Sequence, residues 1–235
     1  QISAGDMKTG DLKKDIVSDL GGFMITEKGK DSHKRKSPLD VGFAISKERS
    51  NYYDDLFVRF KNFENDNEKE DQRINSKTFS EKDIIPINYR LSVDEVGTTK
   101  HFEIEDNKFV KQFDVLRISN DEKMNRLVYF IESTNGLSGL ANTSRNAVVD
   151  VPRKWFIAFD SVKQFRKYFE MGEDEKKVYL EDLNRRGVVY FEGDFEKKSG
   201  LSVEESVEKA VEYLKNNKEL IEHIEYNKEL IDKFS

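Results

Sequence analysis

Five cations crowd into nine residues of this chain. Lys28, Lys30, Lys34, Arg35 and Lys36 stand against one acid, Asp31, for a net charge of +4 between residues 28 and 36. Cations packed this closely neutralise phosphates and release their condensed counterions, which makes the segment a candidate for holding a DNA or RNA backbone. The competing reading is a solvated loop in a lysine-rich chain. Two further residues downstream could do chemistry: Asp40, after Ser37-Pro38-Leu39, and Lys61, after Val58-Arg59-Phe60. A carboxylate can hold Mg²⁺, and the metal then polarises a phosphoryl oxygen or activates a water. A lysine from a neighbouring strand can position that water or stabilise developing charge.

Such residues need elements to carry them. Leu12, Ile16, Val17 and Leu20 share a face at helical spacing, so residues 9–20 read as a helix stopped by Gly21 and Gly22. Residues 23–25 and 39–45 read as strands. Residues 54–63 fit either period: Leu56, Val58 and Phe60 alternate as in a strand, whereas Tyr53, Leu56, Phe57 and Phe60 fit a helix; the strand is preferred. A helix, a strand, a strand with Asp40 and a strand ending in Arg59-Phe60-Lys61 resembles the restriction-endonuclease-like nuclease core over about the first 63 residues. The resemblance implies an Mg²⁺-dependent nuclease. In it, Ser37-Pro38-Leu39-Asp40 stands for the family's Pro-Asp, and Arg59-x-Lys61 for its Asp/Glu-x-Lys. The departure is Arg59, which occupies the place of a metal-binding acid. Asp54, Asp55 or Glu48 would have to substitute; Asp40 and Asp55 are the expected metal ligands, and Asp40 and Lys61 the expected catalytic pair.

Residues 64–83 hold only two apolar side chains, Ile74 and Phe79, and are expected to be a mobile charged loop, linker or insertion. Residues 85–93 alternate Ile85, Ile87, Tyr89, Leu91 and Val93 with polar neighbours, an expected edge strand because Pro86 lacks a ladder N–H. Strands are expected at 101–105, 108–119 and 124–133, turning at Asp106-Asn107 and Asn120-Asp121 as an antiparallel meander. Two more are expected at 147–151 and 154–159.

From Asp160 the period becomes helical. Val162, Phe165 and Phe169 suggest a helix ended by Gly172, and Val178, Leu180 and Leu183 a second ended by Gly187. Residues 188–195 return to strand. Ser202-x-x-Glu205 is a capping box ahead of Val207, Ala210, Val211 and Leu214. The repeat NKELI at 217–221 and 227–231 places Leu and Ile on nearly one face of an expected terminal helix. That helix is either a surface helix or, over 218–234, a protein-partner site.

Two further clusters carry weaker signals. Glu196-Lys197-Lys198 with Asp182 or Asp194 has the same acid–lysine character, but fits a polar hairpin end better. Aromatics interleave with cations at 153–156 and 164–169, where exposed rings could stack on bases. The period of Phe165 and Phe169 favours core contacts instead, and Trp155 fits both. The three histidines, at 33, 101 and 223, lack metal-ligand spacing and read as surface residues.

Composition bounds the function. Charged residues reach 37% against the ~25% of an ordinary domain, yet 17 Phe, 9 Tyr and one Trp indicate a folded chain. There is no cysteine, which removes disulfides, thiolate metal sites and thiol nucleophiles. P-loop, Rossmann, nucleophile-elbow, zincin and EF-hand motifs are absent. Net charge is −6, and residues 160–235 hold 14 Lys/Arg against 19 Asp/Glu, so any nucleic-acid contact must be local. No apolar run approaches the ~18 residues of a membrane span, and a cytoplasmic location is expected. The first residue is Gln rather than Met, so residues upstream are expected.

The expected fold is α+β: a mainly β domain over 1–159 with helices at its N-terminus, and a helical region over 160–235, packed on the same domain or separate. Two functions follow. One is a nucleic-acid-binding or -processing protein, with Mg²⁺ as cofactor if it is a nuclease. The other is a non-catalytic bacterial or phage assembly protein using its acidic helical end.

Overall fold

The computed structural model describes residues 12–25, 33–45, 54–60, 72–78, 84–105, 108–136, 152–162, 164–196 and 200–222. Their elements are mixed α+β. The chain opens with helix α1 (Ile16–Gly21), which starts where the Asp15 carboxylate accepts the N–H groups of Val17 and Ser18 at 3.2 and 3.0 Å. The helix expected over 9–20 is therefore shorter, with a turn at 12–14 ahead of its cap. Gly22 ends it at φ 71°, a conformation that a Cβ disfavours. Strands β1 (Phe23–Ile25) and β2 (His33–Arg35) pair as a hairpin, and β3 (Leu39–Val41) follows.

Next come β4 (Asp54–Phe60) and β5 (Gln72–Thr78), an antiparallel pair. Of the two alternatives for 54–63, the strand thus holds over 54–60; residues 61–63 lie outside the described residues. Within the expected loop 64–83, by contrast, residues 72–78 are strand: their polar side chains do not prevent a ladder, because ladder bonds are made by the backbone. The rest of that segment lies outside the described residues. Strand β6 (Tyr89–Leu91) pairs with β3. It is much shorter than the strand expected over 85–93, since residues 93–95 turn into a 3₁₀ helix. Strands β7 (Thr98–Glu105) and β8 (Lys108–Leu116) form the expected hairpin.

Residues 124–133, expected as a strand, belong instead to helix α2 (Asn120–Ser133). Ser119 caps it, its hydroxyl accepting Glu122 N–H at 3.1 Å. Met124, Leu127, Val128 and Ile131 recur at i, i+3, i+4 and i+7. The run Val128-Tyr129-Phe130-Ile131 has high strand propensity, but burial of one helical face outweighs it.

After β9 (Lys154–Phe159), the helix expected between 160 and 172 is also absent among the described residues. Residues 164–167 carry no helix and 168–170 form one 3₁₀ turn. Asp160, the expected start of a helical period, accepts Val162 N–H at 2.9 Å and binds Arg186. Helix α3 (Glu173–Arg185), β10 (Val189–Asp194) and α4 (Val203–Asn216) then follow as expected. The capping box is formed: Ser202 N–H donates to Glu205 Oε2 at 2.7 Å, and Glu205 N–H to Ser202 Oγ at 3.1 Å.

Among the described residues the strands make five two-stranded antiparallel ladders rather than one meander: β1–β2, β3–β6, β4–β5, β7–β8 and β9–β10. The chain divides into two compact units, Gln1–Val41 with Tyr89–Ser235, and Gly42–Asn88.

The core of the larger unit joins α2 to α4. Leu127, Val128 and Ile131 are buried with Val203, Val207, Ala210, Val211 and Leu214, and Trp155 of β9 lies among them. Gly193 of β10 lets α4 approach closely: a Cβ there would stand 2.7 Å from Val203 Cα and 2.8 Å from Ser202 O. Across that contact Ser206 Oγ donates to Glu192 O at 2.8 Å. Leu220 and Ile221, the start of the proposed partner stripe, pack into this core; residues from 223 onward lie outside the described residues. No helix among the described residues is long and apolar enough to cross a membrane.

Candidate nucleic-acid interface

Strand alternation divides the basic segment into two roles. Arg35 is drawn inward. Its Nε donates to Asp19 O at 3.1 Å, its Nη1 to Thr98 O at 2.5 Å, its Nη2 to Glu95 O at 2.9 Å, and Nη2 also bonds the Asp19 carboxylate. Its neighbours Lys34 and Lys36 are exposed. Lys28 and Lys30 lie outside the described residues. Of the five cations, then, one braces the fold and two are placed at the surface.

The brace is a buried charge network. The Asp19 side chain, 0% exposed, accepts Gly97 N–H on both oxygens at 3.0 and 2.9 Å, Arg126 Nη1 at 2.8 Å, and Arg35. Arg126 donates further to Leu12 O at 2.7 Å, to Lys13 O at 2.9 Å and, through Nε, to Glu122 at 2.8 Å. One carboxylate therefore ties together α1, β2, the turn at Gly97 and α2. A buried charge persists only when paired and hydrogen-bonded in this way. Lys123, also fully buried, completes the cluster. Burial pushes its pKa down, while Asp94 and Asp19 oppose the shift.

Asp40, the expected metal ligand, sits on β3 opposite Arg90 of β6. Arg90 Nε donates to Asp40 Oδ2 at 2.7 Å, and Arg90 Nη2 contacts the same oxygen. Asp55 lies on β4 in the other compact unit, opposite Lys77 in register. Lys61 lies outside the described residues. Among the described residues no three His, Asp or Glu side chains gather as a metal site.

The aromatics at 153–169 also divide by alternation. Trp155 is core, its Nε1 donating to Thr134 Oγ1 at 2.8 Å. Phe156, on the opposite face of β9, stacks on Tyr168 at 4.0 Å between ring centroids, with Tyr179 and Tyr190 beside it. Tyr168 donates to Glu192 at 3.2 Å, and its pKa is pushed up by burial first and by Glu192 second. Behind this group, Arg186 is clasped by two acids. Its Nη1 and Nη2 donate to Asp160 at 2.6 and 2.8 Å, and its Nε to Asp182 at 2.9 Å. The guanidinium holds the Asp160 carboxyl below its ordinary range, and Arg185 and Arg186 do the same for Asp182.

Nothing in the sequence marks Asp19, Arg126 or Lys123 as a cluster. Asp19 and Arg126 are 107 residues apart, and no local period joins them.

Fold and site together define an α+β protein with a lysine-bearing strand braced from behind by a buried carboxylate–guanidinium network. The chain belongs to the CRISPR-associated negative auto-regulator DevR/Csa2 family, whose model matches residues 3–178. No curated protein and no solved structure matches it. Family membership makes it a CRISPR-associated, nucleic-acid-related protein; it does not speak for a magnesium nuclease.

Proposed function

We propose that this protein binds nucleic acid through the basic segment around β2, with Lys34 and Lys36 contacting phosphates. The observation that carries the reading is the division of labour on β2. Arg35 is locked into the Asp19 network, so the strand is rigid where its neighbouring lysines are exposed. Cations on a fixed element lose less freedom on binding than cations on a free loop. The family match supports nucleic acid as the partner. Lys28 and Lys30 extend the same segment in sequence.

The test is fluorescence anisotropy with short RNA and DNA strands from low to high salt. Binding by the unaltered protein should weaken steeply with salt. The double variant Lys34→Glu, Lys36→Glu should weaken it further and flatten the salt slope. Salt-insensitive binding, or binding indifferent to both lysines, would sink the reading and favour the assembly-protein alternative. Magnesium-dependent cleavage through Asp40, Asp55 and Lys61 draws its support from residue order alone. Because Asp40 is neutralised by Arg90, addition of Mg²⁺ to the same strands should leave them intact; cleavage abolished by Asp40→Ala would reverse that expectation.

A further inference from the structure

A cavity of about 240 Å³ lies between residues 160–166 and α3, lined by Asp160, Gln164, Arg166, Tyr179, Asp182 and Arg186. Each of its carboxylate and amide side-chain acceptor oxygens already takes at least one hydrogen bond. Both Asp160 oxygens bind Arg186, and Oδ1 also accepts Val162 N–H. The Asp182 oxygens bind Arg185 at 2.5 Å and Arg186 at 2.9 Å. The Gln164 carbonyl oxygen accepts from Arg166.

Donors remain. Gln164 keeps its amide N–H groups, and Arg186 one further N–H on each terminal nitrogen. The Tyr179 hydroxyl makes no hydrogen bond among the described residues. Arg166, exposed, has no carboxylate partner among them. Two arginines (166 and 186) and two aspartates line the cavity, and Arg185 bonds Asp182 from outside it. Both lining carboxylates are taken up by Arg186, so Arg166 is the lining cation left to meet an anion, and the remaining N–H and O–H groups suit a ligand that accepts hydrogen bonds.

We infer that this cavity binds the phosphate group of a nucleotide, with Arg166 and Tyr179 as its principal donors. Phosphate brings several acceptor oxygens and a negative charge, and arginine matches it with parallel N–H bonds. The volume is below the ~300–1,000 Å³ of pockets that engulf a whole ligand, so the site takes a group rather than an entire molecule. Arg186 cannot swing away, since its two carboxylates hold three of its N–H groups; it presents the remainder in a fixed direction. The Tyr179 hydroxyl is protonated at neutral pH and so can donate; burial raises its pKa further. The inference rests on the proposed nucleic-acid reading only for the source of the phosphate, either a free nucleotide or the backbone of a bound strand.

The experiment is a resonance-by-resonance NMR titration of the full chain at constant ionic strength. The ligands are inorganic phosphate, uridine 5′-monophosphate and a short single-stranded RNA, with sulfate as control. Phosphate and the nucleotide should shift amides in 160–166 and 179–186 saturably. Arg166→Ala should weaken nucleotide binding about ten-fold or more, the worth of one charge-assisted contact. Tyr179→Phe should weaken it less, and Lys34→Glu, Lys36→Glu should leave it unchanged. If RNA binding falls with Arg166→Ala, the phosphate is the backbone's; if only the nucleotide is lost, it is a free nucleotide's. Nucleotide binding unaltered in Arg166→Ala, no saturable shift, or sulfate binding as tightly (an adventitious ion only) would overturn the inference. Failure of the unaltered protein to bind RNA while the nucleotide still binds would instead overturn the function reading.

Discussion

Two charge clusters in the larger unit are near mirror images. At Asp19 one carboxylate serves two guanidinium groups in the interior; at Arg186 one guanidinium serves two carboxylates near the surface. The bond lengths are alike, with Arg126–Asp19 at 2.8 Å and Arg186–Asp160 at 2.6 Å. What differs is water. Asp19 is 0% exposed and Arg126 2%, whereas Arg186 keeps 28% of its side-chain surface. A buried ion pair becomes costly when one member is removed, because the survivor stays buried without a partner. A surface pair leaves its survivor solvated. The first cluster therefore holds the fold, and the second is free to orient a binding group.

The comparison breaks most decisively at Asp19. Asp19→Ala should cost about 3–5 kcal/mol, since Arg35 and Arg126 would both lose their counter-charge. Urea denaturation followed by circular dichroism measures it, and a cost near zero would mean that water reaches the network. A smaller loss should follow Gly22→Ala, which strikes the same cluster through the backbone. The added Cβ would meet Arg35 O at 2.6 Å and Ser37 N at 2.7 Å, at a φ of 71°. Strain of that kind costs about 1–3 kcal/mol, and the same melts would detect it.

Lys123 sharpens the contrast through pH. Its pKa is lowered in the folded state, so folding opposes its charge at neutral pH, and that penalty fades as pH rises toward the ordinary value of 10.5. The stability of the unaltered protein relative to Lys123→Met should therefore rise between neutral pH and about 10.4. The surface cluster has the same sign of pH dependence but acts in the acid range. Asp160 and Asp182 have lowered pKa values, so their contribution is present above the ordinary carboxylate value and is lost only as pH falls below about 3.9. A relative stability that stays flat over the alkaline range would mean that Lys123 is solvated. The smallest effect belongs to Arg186→Ala, which should barely move the urea midpoint, and should do so less in high salt than in low.

These clusters also mark what the sequence could reveal. The capping box at Ser202 and Glu205 is local, four residues long, and forms as read. So do α3, β10 and the β7–β8 hairpin, each set by its own period and turn. The helix α2 was legible in the spacing of Met124, Leu127, Val128 and Ile131, but the aromatic and branched residues beside them pointed to strand. Only burial against α4 decides between the two. The cation cluster at 28–36 was legible as charge, yet its inward member was not: Arg35 is fixed by groups at Asp19, Glu95 and Thr98, up to 63 residues away. Asp40 stood out as an acid after Pro38, and its cross-strand partner Arg90, 50 residues on, was invisible. Residue type and local spacing reveal elements and charge; they do not reveal which charges meet.

The seam at Gly193 carries one more consequence. The family match ends at residue 178, within α3. Beyond it lie β10, which completes the ladder of β9, and α4, which covers Leu127, Ile131 and Trp155. A shortened chain cut at the end of the match would bare that apolar face to solvent and lose the Ser206–Glu192 bond that registers helix on strand. The family match and the buried interior of this protein thus end at different residues. Anyone trimming the gene for expression should carry it at least through Ile221, whose side chain is part of the same interior.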